Sequence, residues 1–137
     1  MKKLLLLIPF VFGLAHAEDG KVVTPLMLKE LPDIPGKEAL VITVDFAPGA
    51  EDPVHRHDAH AFVYVLEGSI VMQLKGSQAV TLTAGQVFYE GPDDVHTVGR
   101  NASKTKPAKI MVVLVKNKGV DAVLPINLFA LRPSQRR

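Results

Sequence analysis

Residues 48–68 read P-G-A-E-D-P-V-H-R-H-D-A-H-A-F-V-Y-V-L-E-G. Pro48-Gly49 is a turn signal. His55, His57 and His60 follow, and the chain then runs into the apolar, β-type segment Phe62–Leu66, which stops at Gly68. In an extended chain alternate side chains leave the same face, so His55 and His57 share a face and His60 takes the other. Two imidazoles on one face can bind one ion at about 2.0–2.1 Å each. A further ligand has to come from elsewhere. His96, in G-Q-V-F-Y-E-G-P-D-D-V-H after another turn cluster, is the candidate.

Outward from this stretch the chain reads as short strands separated by turn residues. Val22–Leu28 is a weak strand whose Pro25 suits a sheet edge. Leu31–Gly36 is a loop, and Ala39–Phe46 is a strong strand rich in Val, Ile and Phe. The histidine stretch leads into the strand Ala61–Glu67. Ile70–Lys75 and Gln78–Leu82 flank the tight turn Gly76-Ser77 and read as a hairpin. Gln86–Tyr89 and Val95–Val98 are short and extended, and Ala108–Lys116 is the most apolar strand. No sustained helical period is present. Many short strands with Gly/Pro turns predict an all-β sandwich or small barrel.

Of 137 residues, 47% are hydrophobic, enough for the core of one domain. There is no Cys, which excludes disulfides, thiolate-bound zinc and thiol catalysis. Residues 1–17 have the three parts of a secretory signal: Lys2 and Lys3, the apolar run Leu4–Leu14, and Ala15-His16-Ala17 as a cleavage site. The run falls well short of the roughly 20 residues that span a bilayer. The sequence therefore predicts an exported protein, periplasmic or secreted, with a single domain over 18–137 and no lasting membrane anchor. Without Lys2 and Lys3, 14 basic and 14 acidic residues remain. A neutral chain without a basic stripe carries no electrostatic footprint for nucleic acid. The tail 132–137 reads as disordered.

Around His55-Arg56-His57 the sequence resembles the cupin family. That family's first motif is G-x5-H-x-H-x3,4-E-x6-G, and Gly49, His55, His57 and Gly68 stand at its spacings. Its second is G-x5-P-x-G-x2-H-x3-N, and Gly85 and His96 match it. The resemblance spans roughly residues 39–116. It implies a double-stranded β-helix, or jelly-roll barrel, with His55, His57 and His96 as metal ligands.

The departures matter as much. The glutamate position of the first motif falls on Ala61. In the second, Gly91 and Asp93 replace Pro and Gly, and Arg100 takes the Asn position with Asn101 one residue late. Three readings of the absent glutamate stay open. The site is a cap of three histidines, or His60 (through a β-bulge) or Glu90 substitutes, or the site has lapsed. An occupied site implies a divalent ion, with Fe, Mn, Ni and Zn unresolved. It also implies a small, anionic, chelating ligand and oxygenase or isomerase chemistry. The alternative is a non-catalytic module that binds a small ligand or metal, with or without metal in the pocket.

Glu90 and Tyr64 are the candidate acid/base or substrate-binding groups. Glu51 and Asp52 read as solvated loop residues. Phe62–Leu66 is apolar on both faces, more than one core needs, which predicts a homodimer.

Overall fold

The computed structural model describes residues 16–126. Most of the expected signal segment and the expected disordered tail therefore lie outside the described residues. Eleven strands follow one another: β1 (His16–Glu18), β2 (Lys21–Glu30), β3 (Lys37–Phe46), β4 (His55–Arg56), β5 (Ala59–Glu67), β6 (Ser69–Leu74), β7 (Val80–Thr83), β8 (Val87–Glu90), β9 (His96–Asn101), β10 (Ala108–Asn117) and β11 (Leu124–Pro125). No helix occurs among the described residues. The strands form a six-stranded sheet in the order β1-β2-β3-β10-β5-β8 and a five-stranded sheet in the order β11-β4-β9-β6-β7. All pairings are antiparallel. This is an all-β arrangement of the kind the strand pattern predicts, and the jelly roll that the family resemblance implies.

The strongest apolar run sits at the centre of its sheet. β10 pairs with β3 through ten residues and with β5 on its other side. Its alternate residues Ala108, Ile110, Val112 and Leu114 are buried. They meet Val44 and Phe46 of β3, Val63 and Val65 of β5, and Ile70, Met72 and Leu82 of the other sheet in one core. Burial of such side chains stabilises by about 1.5–3 kcal/mol each relative to leaving them exposed. β2 does run near the edge, as Pro25 requires. The register with β3 shifts between Pro25 and Met27, a bulge at the residue that lacks an N–H.

Two buried polar groups, Asn101 and Lys116, tie down loops at the strand ends. The Asn101 side chain donates to the carbonyls of Ala47 (3.1 Å) and Lys106 (2.7 Å) and accepts from the Ser103 amide (2.9 Å). The Asn one residue late in the motif is thus a buried clamp between two loops. Lys116, also buried, pairs with Glu38 and donates to the Val120 carbonyl at 2.6 Å. Gly119 donates its amide to the same Glu38 carboxylate at 3.1 Å. These bonds fix the turn after β10 that sends residues 121–126 back across the five-stranded sheet, where β11 pairs with β4.

Candidate metal centre

Strand register brings the predicted histidines together. β4 and β9 are neighbours, and their registered pair is His55 and His96. Asp58 follows with φ +48°, a left-handed residue that turns the chain sharply after His57. The turn leaves His57 beside His55, with Nε2 atoms 3.2 Å apart. From the other sheet, β8 delivers Glu90. Its Oε2 lies 3.4 Å from His57 Nε2 and its Oε1 lies 3.5 Å from His96 Nδ1. One ligand atom from each of His55, His57, Glu90 and His96 falls within a span of 4.8 Å. Ligands on one ion at about 2.1 Å lie up to about 4.2 Å apart, so a modest contraction closes the set. His55, Glu90 and His96 are buried, and the His57 side chain keeps 12% of its surface exposed.

Hydrogen bonding fixes which nitrogens are free. His55 Nδ1–H donates to the Pro53 carbonyl at 2.8 Å and His57 Nδ1–H to the Ala122 carbonyl at 2.7 Å. Both Nε2 atoms then present lone pairs to each other, and Glu90 adds a carboxylate. Acceptors this close repel unless a cation or a proton lies between them. Glu90 Oε2 and both ring nitrogens of His96 are buried without a hydrogen-bond partner among the described residues. Neutral imidazoles with outer N–H groups tied to carbonyls, beside one carboxylate, are a donor set of the kind that holds a divalent transition ion.

The electrostatics agree. Burial pushes His96 down to about 4 and lowers His57, so both are neutral and able to coordinate at pH 7. Burial, reinforced by the charges of Asp52 and Asp94, pushes the Glu90 carboxyl up to about 7. The carboxylate is held in a place that disfavours its charge, as expected where a cation normally compensates.

The position that the first motif gives to glutamate is filled by Ala61, which is fully buried. Its registered partner across β5 and β8 is Glu90. The small side chain at 61 thus lies opposite the only carboxylate that joins the cluster.

The matching family is described as the cupin domain, and it covers residues 42–114. The chain belongs to the cupin family. Solved cupins share its fold. An RmlC-like cupin from Shewanella frigidimarina aligns with a TM-score of 0.60 at 21% identity, over 77% of this chain and 84% of that one. An oxalate oxidase in complex with the substrate analogue glycolate aligns at 0.62 and 24%, over 83% of this chain but only 59% of its own length. A predicted oxalate decarboxylase from Thermotoga maritima aligns at 0.59 and 21%, over 70% and 80%. At these identities the likeness is one of fold. No curated protein sequence matches this cupin.

Two candidates stand away from the cluster. β5 keeps a regular pleat at its start, with Ala59 and Ala61 buried and His60 exposed between them. The bulge that would turn His60 inward is absent there, since the register shift with β10 lies at the far end, at Lys109/Ile110. His60 Nδ1 instead lies 2.7 Å from the Tyr89 hydroxyl on the outside of the sheet. Tyr64 has the same parity as His60 and also points outward. With Phe62, Val87 and Tyr89 it lines an open apolar groove of about 620 Å³ on the outer face. Neither tyrosine is part of the cluster of His55, His57, Glu90 and His96.

Asp52 has the opposite fate. Read from sequence as loop solvation, it is ion-paired with Lys21, and its amide donates to the Gly99 carbonyl at 2.7 Å. Its charge acts on His57, His96 and Glu90 alike. Nothing local in the sequence marks it, because its neighbours come from β2 and β9.

Proposed function

We propose that this cupin binds one divalent metal ion through His55, His57, Glu90 and His96 and uses it on a small anionic, oxygen-rich molecule, as an oxygenase or isomerase. The observation that carries this reading is the convergence of one ligand atom from each of three imidazoles and one carboxyl within 4.8 Å, with Glu90 Oε2 and the His96 ring nitrogens buried and without a hydrogen-bond partner among the described residues. The bound ion supplies Lewis acidity and, if redox-active, electron transfer at the same point. The protein's part is to hold three imidazoles in place, those of His55 and His57 oriented by backbone carbonyls, to keep the carboxylate dry, and to leave the His57 side as the approach. An oxidase and a predicted decarboxylase of oxalate among the structural neighbours support a small carboxylate as ligand.

A second reading, a module that holds metal or ligand without turnover, is favoured by the burial of three of the four side chains. Elemental analysis of protein purified without chelators or a histidine tag tests the site. About one ion per chain is expected, with loss of stoichiometric binding in His57→Ala. Full occupancy of that variant at unchanged affinity would refute the site. Oxygen uptake with oxalate and related small acids then separates the enzyme from the module.

We also infer that the outer face of β5 and β8 seats a second copy of the chain. Phe62 is 51% exposed, Tyr89 48% and Val87 69%. With Tyr64 and Leu66 they present on the order of 500 Å² of apolar surface, taking about 200 Å² for a whole aromatic side chain. Two copies face to face bury on the order of 1,000 Å², the lower end for a specific interface. Sedimentation of the wild type as a dimer and of Phe62→Glu as a monomer is expected, and a wild-type monomer at all concentrations would refute it. Export through residues 1–17 is proposed on the charged start, apolar run and cleavage pattern. A mature amino terminus at Glu18 is the expected result, which would trim β1 and leave β2 at the sheet edge.

A further inference from the structure

Residues 118–126 cross from one sheet to the other past the metal centre. They leave β10 of the six-stranded sheet and reach β4 of the five-stranded sheet, where Leu124 pairs with Arg56 and Pro125 with His55. Along the crossing Val120, Ala122, Leu124 and Ile126 are half-buried, while Asp121, Val123 and Pro125 are exposed. A period of two means that one face is turned inward.

Two backbone carbonyls of this segment are gripped by side chains. His57 Nδ1–H donates to Ala122 at 2.7 Å, and Lys116 Nζ donates to Val120 at 2.6 Å. Two residues of chain span at most about 7 Å, so the second grip lies close to the first. Lys116 is also paired with Glu38, its registered neighbour on β3. The same Glu38 carboxylate accepts the Gly119 amide at 3.1 Å. Both charged side chains are buried, and each stands at core parity, Lys116 two residues past Leu114 and Glu38 two before Leu40. A buried ion pair is a poor way to stabilise a fold, because desolvation offsets the attraction and apolar residues of similar volume do as well. Apolar residues cannot hold an amide and a carbonyl of a crossing segment, and this pair does both.

The consequence falls on His57. A carbonyl only accepts, so Ala122 keeps the proton on Nδ1 and leaves Nε2 as the lone pair. His55 takes its carbonyl from Pro53, two residues away. His57 takes its carbonyl from 65 residues along the chain, so its orientation depends on where the crossing segment is held.

We propose that the buried Lys116–Glu38 pair is a positioning pair of the metal centre. It anchors residues 118–126 as a strap whose Ala122 carbonyl holds the Nδ1 proton of His57 and so turns Nε2 to the ion. Partners behind a coordinating imidazole fix its ring and tautomer. By linkage, a bound ion tightens the strap in return. The inference rests on the metal reading for its purpose, but the strap and the tautomer can be read without metal.

The test replaces the pair by Glu38→Met with Lys116→Met, which keeps the space filled and releases Gly119 and Val120. A melting temperature near that of the wild type shows the fold intact. Long-range nitrogen–proton NMR on metal-free, 15N-histidine-labelled full-length protein reads the His57 tautomer at pH 7, where burial favours the neutral ring. The Nδ1–H form is expected in the wild type and a mixture of both forms in the double variant. Zn(II) titrated against a competing chelator is expected to bind the double variant about 10–100-fold more weakly. Both readouts must move. A wild type in the Nε2–H form, a double variant with the wild-type tautomer, or a dissociation constant within twofold of wild type overturns the proposal, since a pair that only stabilises the fold would leave the histidine and its ion untouched. A wild type that takes up no zinc overturns the metal reading instead, and the tautomer then decides the strap alone. Should the double variant fail to fold, amide hydrogen exchange of the wild type decides. Zn(II) is expected to slow the Gly119 amide by about tenfold or more. The control is the Ser77 amide, bonded to the Leu74 carbonyl in the turn before β7, at the opposite edge of the five-stranded sheet from β11. A Gly119 rate that stays the same, or slows no more than that of Ser77, overturns the proposal.

Discussion

Replacing Glu90 by Gln has opposite expected effects with and without metal. In the metal-free protein burial, helped by Asp52 and Asp94, holds the Glu90 carboxyl at about 7 instead of 4.5. The folded chain therefore keeps an extra proton between those values. Stability falls as pH rises through that window, and the full cost applies above about 7. At about 1.4 kcal/mol per pH unit that cost is on the order of 3 kcal/mol. Gln has the same shape and no charge. Metal-free Glu90→Gln is thus expected to match wild type near pH 4 and to exceed it by on the order of 3 kcal/mol at pH 8. For a domain of this size that is a rise in Tm of roughly 10 °C. Once a divalent ion is added the order reverses, because the wild type gains binding energy that the amide variant cannot match. Urea denaturation of chelator-treated protein at pH 4 and 8, repeated with saturating Zn(II), reads all four values. A variant no more stable than wild type at pH 8 without metal would refute the account of Glu90 as a strained, cation-seeking carboxylate.

Metal binding should release the Glu90 proton, so affinity is expected to fall about tenfold per pH unit as pH drops below about 7; a flat profile by competition titration would exclude Glu90 from the ligand set. Ala61→Glu looks like a repair when only the motif is read. With position 61 fully buried and in register with Glu90, it instead sets two carboxylates together, and lower metal-free stability at pH 8 is expected. Moving the carboxylate, as Ala61→Glu with Glu90→Ala, is expected to recover metal binding that Glu90→Ala alone loses, as read by equilibrium dialysis. Gly68→Ala should cost more than 2 kcal/mol in urea denaturation. Gly68 has φ +72°, and its new Cβ would lie 2.6 Å from the Pro107 carbonyl oxygen, against backbone that cannot rotate away.

Much of this was readable along the chain because it is written in local terms. Gly and Pro mark the turns, apolar β-type runs mark β5 and β10, and the spacings of Gly49, His55, His57, Gly68, Gly85 and His96 carry the family pattern. The parity that puts His60 outside also puts Tyr64 outside, since both differ from Ala61 by an odd number of residues. That signal was present in the sequence and favours reading Tyr64 as a surface residue of the outer face. The pairing of Ala61 with Glu90 was not legible. It depends on the register between β5 and β8, and register is set by the packing of the whole sheet. Asp52 was hidden for the same reason, as its partners Lys21 and Gly99 lie on two other strands.

The four side chains that could hold a metal do not belong to one sheet. His55 and His96 lie on the five-stranded sheet with His57 just beyond β4, while Glu90 ends β8, the edge strand of the six-stranded sheet. An ion there is a clasp between two layers. Loading and unloading it then requires the layers to part at that end, so exchange should be governed by the breathing of the barrel rather than by ligand strength alone. Such a protein would hold its ion as a kinetic captive, slow to surrender it to a chelator even where equilibrium favours the chelator.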